Sequence, residues 1–159
     1  MAIDGKGYVV ASELTEKKAD DAKTVPNLLE QIEGKIDTFC ADGAYDRSSV
    51  LKALKRHNHG VEPTMIVPPR KDAVISKAGE TQRDKHIAYI KEHGQNGWEK
   101  AMGYGAQSKV ENAMYRYKTL IGRKLKARKL KNQKTESKVG VKVMNWMTSL
   151  GMPDSVPVT

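Results

Sequence analysis

Two short stretches hold the residues with chemistry in them. In "FCADGAYDRSSV", 39–50, an apolar run delivers Asp42 to a Gly-Ala turn and leaves through Asp46 toward a helix. A carboxylate at a strand tip has two readings. Asp is a good turn residue, and Asp is also a hard oxygen ligand for a metal ion. In "GYGAQSKVENAMYRYKTLIG", 103–122, helical periodicity sets Glu111 and Lys118 about 20° apart and Tyr115 about 40° from Glu111. Extended backward, the same helix would put Gln107 about 40° and Tyr104 about 20° from Glu111. Read blandly, Glu111 and Lys118 are a surface ion pair. Yet the helix runs into a strongly basic stretch, and a carboxylate on a polyanion-binding face repels its partner. A divalent cation bridging carboxylate and phosphate removes that conflict. Asp42 and Glu111 together then suggest two-metal phosphoryl transfer, with ions about 3.5–4 Å apart. Hard oxygen ligands suit Mg²⁺ or Mn²⁺. Such a site needs three carboxylates, and spacing does not bring these two together, so the turn and surface-pair readings stay open.

The charge distribution names a class of partner. The 159 residues carry 28 Lys and Arg against 19 Asp and Glu, a formal net charge of +9. Between 112 and 135 there is no acid. The same stretch holds nine cations: Arg116, Lys118, Arg123, Lys124, Lys126, Arg128, Lys129, Lys131 and Lys134. The remaining cations balance the acids, so the net charge resides in one segment. That concentration is the footprint of a polyanion, most often nucleic acid. A solvated helix face is the alternative. Arg70-Lys71, after Pro68-Pro69, reads equally as a DNA contact or an ordinary basic loop.

The elements that position these residues follow from pattern. Strand-like "GYVVASELT", 7–15, follows turn chemistry at Asp4-Gly5, with 1–3 as a short partner strand. Thr24 is expected as an N-cap with Pro26 in the first turn, for a helix ending at Gly34. Residues 36–41 form the strand that delivers Asp42. Asp46 is expected to cap a helix that ends near Gly60, and 62–67 is a strand stopped by Pro68-Pro69. Thr81 and Asp84 form a capping-box pair. The 94–103 stretch reads as irregular, with Trp98 over the core. A helix over 108–121 turns Val110, Met114, Tyr117 and Ile121 inward. A last helix, about 136–150, turns Val139, Val143, Met147 and Leu150 inward and stops at Gly151-Met152-Pro153. Strand–helix alternation after an initial hairpin argues for an α/β domain, and the length argues for one domain.

Other classes fall away. The single cysteine, Cys40, excludes an internal disulfide and reads as a buried thiol. His57, His59, His86 and His93 show no zinc spacing. Ser48 and Ser49 lack a hydrolase signature. Asp37 reads as a surface residue. Trp98 and Trp146 are expected in the core, not as base-stacking platforms, because neither lies in the basic cluster. No apolar stretch approaches a membrane span, and the N-terminus shows no secretory pattern. The chain reads as cytoplasmic.

Taken together, "ADGAYD" and "ENAMYRYKTLIGRKLKARKLKNQ" closely resemble the DDE transposases of bacterial insertion sequences. The likeness is to the branch whose acidic helix carries Tyr, two residues, Arg, three residues, Glu, six residues, Lys. Tyr104, Glu111 and Lys118 match it, and Gln107 stands where the family has Arg. "VPPRKDA" and "SLGMPDSV" also look like family segments, so the resemblance covers essentially the whole chain. It implies a ribonuclease H-like mixed sheet with flanking helices and three metal-binding carboxylates. Asp42 is similar to the second Asp and Glu111 to the catalytic Glu. Tyr104 and Lys118 look like DNA contacts near the reacting phosphate, with Arg116, Arg123, Lys124, Lys126, Arg128 and Lys129 gripping backbone. By the same resemblance the enzyme cuts DNA at the element end, and the freed 3′-hydroxyl attacks target DNA, with Mg²⁺ or Mn²⁺. No segment here resembles the first, central strand with its Asp. The chain is thus expected to be one partial catalytic domain, 1–159, incomplete or inactive alone. Implied partners are DNA, an upstream transposase fragment or a full-length transposase. An oligomer is plausible, and the DNA-bound chain would associate with the nucleoid.

Overall fold

The structure is a computed structural model that describes residues 1–16, 19–77 and 79–151. The chain forms two compact units, Met1–Thr15 with Lys109–Thr159, and Glu16–Ser108. Strands β1 (Ala2–Ile3) and β2 (Val9–Ala11) belong to the first of these.

The unit spanning 16–108 is built on one parallel strand pair. Helix α1 (Asp21–Leu29) starts a turn before Thr24, because the Asp20 carboxylate accepts the Ala22 N–H at 3.2 Å. Pro26 therefore lies inside the helix, not in its first turn. Strand β3 (Thr38–Cys40) pairs in parallel with β4 (Thr64–Ile66), Phe39 opposite Met65. Helix α2 (Ser48–His57) connects them, the crossover that a parallel pair requires. Ala22, Val25, Leu29, Val50 and Leu54 form the core under this sheet, with Ile36, Phe39, Tyr45 and Met65 packed around it. Buried Asn58 closes the α2 end: its amide donates to the Ile36 carbonyl at 2.7 Å and accepts the Ile36 N–H at 2.9 Å. Helix α3 (Gln82–Met102) carries the expected Thr81–Asp84 capping box. The expected irregular stretch is helical between Gly94, whose φ of 74° kinks it, and Gly103, which ends it. Trp98 is fully buried, as expected.

The other unit pairs β1 antiparallel with β2 and packs them with α4 (Ser108–Leu120) and α5 (Leu130–Ser149). Asp4 builds the turn by accepting the Lys6 and Tyr8 N–H groups, both at 2.9 Å. Asn145 of α5 holds β2 by bonding both the N–H and the carbonyl of Val9, each at 2.9 Å. The core is Val9, Ala113, Val141 and Met144.

Several expectations change here. The expected mixed sheet is represented among the described residues by two separate two-stranded ladders. The last helix starts at Leu130, six residues before the expected 136. Its inward face is Gly140, Val141 and Met144, while Val139, Val143 and Leu150 are exposed and Met147 is half-buried. Trp146, expected in the core, is 66% exposed. On α4 Ala113 is buried and Tyr117 packs on the core as expected, while Met114 is exposed. Small residues decide both cases. A Cβ on Gly140 would meet the Tyr117 hydroxyl at 2.7 Å, so the two helices approach where α5 has no side chain. The Met152-Pro153 stop lies outside the described residues.

Candidate active site and nucleic-acid interface

Asp42 stands where β3 ends. Its backbone is extended, and its carboxylate accepts the Ala44 N–H at 2.8 Å, closing the short 3₁₀ turn Gly43–Tyr45. That bond is the turn role anticipated for Asp, and the carboxylate remains exposed to solvent. Gly43 fits tightly here: a Cβ would meet the Pro68 carbonyl at 3.2 Å.

Asp46, four residues on, is a different kind of acid. It does not cap α2, whose N-cap position is held by Arg47. Its carboxylate instead takes the Arg83 guanidinium at 2.8 and 3.1 Å and the Arg70 N–H at 3.3 Å. The side chain is 8% exposed. Asp46 thereby ties α3 and the loop after β4 to the turn that Asp42 opens. The pairing spans 37 residues of sequence, and nothing in the local pattern announces it. Arg70 meets Asp46 through its backbone, which leaves its side-chain role open.

Tyr104 and Gln107 do not extend the α4 face. Gly103, at φ 65°, ends α3, and Tyr104–Gln107 is a separate 3₁₀ turn. The expected continuous stripe is broken there. Tyr104 packs against buried Trp98, ring centroids 5.4 Å apart. The Gln107 N–H bonds the Cys40 thiol, so this turn sits against β3, the strand that delivers Asp42. Burial pushes the half-buried Cys40 thiol upward, and that hydrogen bond opposes the shift.

Under Tyr104 lies an aromatic pair that the sequence did not flag. The Trp98 indole N–H donates to His86 Nδ1 at 2.7 Å, and His86 Nε2 meets the Met65 carbonyl at 2.9 Å. Indole is a donor only, so Nδ1 carries no proton and Nε2–H donates to Met65. Burial holds His86 below its ordinary value, which keeps it neutral.

In the other unit, Glu111 is exposed in the first turn of α4, and Lys118 is exposed in the last. Both placements complement the helix dipole. Tyr115 is 68% exposed. Arg116 is partly committed, since its guanidinium donates to the Thr148 hydroxyl at 3.1 Å. Arg123, Lys124, Lys126, Arg128 and Lys129 all lie in the connection 121–129, on the solvent side. Glu136 pins that connection. Its carboxylate accepts the Lys126 N–H at 2.8 and 3.0 Å and the Ala127 N–H at 2.8 Å. The Lys126 and then the Ala127 amides hold its carboxyl below the usual range. Glu136 was missed in the sequence, although it is the first acid after the basic run. Lys131 and Lys134 fall in α5, and Lys134 pairs with Glu13 at 2.9 Å.

As metal ligands, Asp42 and Glu111 are right in kind, being exposed hard oxygens. They are short in number. Among the described residues no group of three His, Cys, Asp or Glu is placed to hold a metal ion. Asp42 and Glu111 lie in different units. Also among the described residues, no helix is long and apolar enough to cross a membrane.

The family description that matches this chain is the transposase DDE domain, over residues 1–145. A match of that extent implies DNA transposition as the process, DNA as the partner and a divalent metal as the conventional cofactor. No solved structure matches the chain.

Proposed function

The chain belongs to the transposase DDE domain family, and from that premise we propose that it serves as a catalytic domain for DNA strand cleavage and transfer. Asp42 would stand for the family's second metal-binding Asp, and Glu111 for its Glu, as ligands of Mg²⁺ or Mn²⁺. The carrying observation is Asp42 itself: a solvent-exposed carboxylate held at a strand tip by one backbone bond. A divalent metal bound there would supply Lewis-acid stabilisation of charge on phosphodiester oxygens. Lys118 holds a phosphate as a point charge. Arg123, Lys124, Lys126, Arg128 and Lys129 grip backbone without reading sequence, on a connection pinned by Glu136. Tyr104, braced on Trp98, positions the strand near the reacting phosphate. Among the described residues no group of three acids is placed to hold that metal.

The same shortage favours a second reading, in which the chain binds DNA or an intact transposase and does not cut. A nicking assay on supercoiled DNA with and without Mg²⁺ separates the two. Metal-dependent cutting that Asp42→Ala abolishes supports the catalytic reading. Salt-sensitive binding without cutting, alone and with full-length transposase, supports the second. Absence of binding to both DNA and full-length transposase rejects both.

A further inference from the structure

Helix α5 carries a second apolar stripe that the core does not use. Val139, Val143, Trp146 and Leu150 are 54%, 39%, 66% and 72% exposed. On a helical projection their mean direction lies about 140° from that of buried Gly140, Val141 and Met144. A helix apolar on two sides ordinarily has both sides covered. Four large exposed side chains in one row are not scattered surface hydrophobics. Beside them, an apolar groove of about 460 Å³ runs between Val139, Val143 and Ile121.

Spacing tells what shape covers the row. The steps 139, 143, 146, 150 are four, three, four, which is the seam of a left-handed helix pair. A strand repeating every second residue would not follow it. Charge tells which helix. Lys131, Lys138 and Lys142 project within about 40° of one another along one flank, and among the described residues none has an ion pair. The one acid of α5, Glu136, has its carboxylate occupied by the Lys126 and Ala127 amides. A second copy would bring this lysine flank toward another with no free carboxylate to answer it.

We propose that the Val139–Val143–Trp146–Leu150 row of α5 docks an amphipathic helix of another protein, apolar along its seam and acidic along its flank. None of the four row residues lies in the connection 121–129, and the proposal does not rest on the catalytic reading.

The test uses the full chain and two synthetic peptides of about three heptads, with Leu at the seam and either Glu or Lys on the flanks. Binding is followed by the blue shift of Trp146 and by the gain in helical circular dichroism. The Glu-flanked peptide is expected to bind, more weakly as salt rises, and the Lys-flanked one not to. Trp146→Glu and Leu150→Glu, made separately, each weaken binding by about tenfold or more, while thermal midpoint and DNA retention stay unchanged. The double variant Lys138→Glu, Lys142→Glu reverses the peptide preference. Equal binding of both peptides, or no binding of either at about 100 μM, where association is only a few kcal/mol, overturns the proposal. So does a concentration-dependent dimer that Trp146→Glu abolishes, which would make a second copy the occupant. Binding of phosphatidylserine vesicles through Trp146 in preference to the acidic peptide would overturn it equally.

Discussion

Asp42 and Asp84 lie in the same unit, and their surroundings are opposite. Asp84 is 2% exposed, and its carboxylate accepts four hydrogen bonds: the Ser76 N–H at 2.7 Å and hydroxyl at 2.6 Å, and the Thr81 hydroxyl at 2.7 Å and N–H at 3.2 Å. Those bonds, Ser76 first, hold it far below the usual carboxylate range. Asp42 has one backbone bond and is open to water. The first acid is spent on folding, since fixed donors occupy its oxygens. The second makes one backbone bond and otherwise faces water. Asp46, in the same short motif as Asp42, belongs with Asp84: it is enclosed and paired with Arg83.

Substitution should separate the two classes. The largest stability loss among the acids is expected for Asp84→Ala, which strands the Ser76 and Thr81 donors together. Urea unfolding reads it directly, and a midpoint as high as that of the unsubstituted chain would sink the contrast. Next comes Gly140→Ala, where a new Cβ meets the Tyr117 ring and hydroxyl at 2.9 and 2.7 Å. Overpacking of that kind costs about 1–3 kcal/mol. A Gly140→Ala variant more stable than the unsubstituted chain would mean that α4 and α5 do not pack at this notch.

Acid should expose the same division through His86 and Asp84. Both have folded values below their unfolded ones. Their contributions are therefore present above the unfolded values and are lost as pH falls toward the folded ones. The His86 contribution declines from about pH 6.5 downward, as the unfolded chain takes the proton first. Protonation at Nδ1 would also set two N–H groups against each other at the Trp98 contact. Asp84 follows below about pH 4. A melting midpoint that rises between pH 7 and pH 5 would contradict this sign. The smallest stability effect is expected for Asp42→Ala, within about 0.5 kcal/mol, beside whatever it does to function. A loss as large as that of Asp84→Ala would make Asp42 a structural residue.

What the sequence disclosed follows the range of the forces involved. The Thr81–Asp84 capping box, the strand before Asp42 and the helix around Glu111 are set within a few residues, and each was readable. The Asp46–Arg83 pair and the Asn145 grip on Val9 join residues far apart in sequence, so local pattern is silent about them. Periodicity placed Tyr117 of α4 inward, as found, but took Met114 and the outer stripe of α5 for core. Ala113 and Gly140 set the inward faces by being small, and a count of large apolar residues passes over them. Tyr104 was misplaced for a related reason: the 100° rule assumes an α-helix throughout, and Tyr104–Gln107 is a 3₁₀ turn. Residue type and motif singled out Asp42 and Glu111 as candidates, and the exposure of both residues was not visible from spacing.

The most direct test of the contrast is a Mn²⁺ titration of the isotopically labelled chain, followed by paramagnetic broadening of its amide resonances. The account predicts that broadening begins at residues 42–44 and 110–112 and spares 76–84, and that Asp42→Ala removes it from 42–44. Broadening that begins at Asp84 or Asp46, or that survives Asp42→Ala unchanged at 42–44, would contradict it.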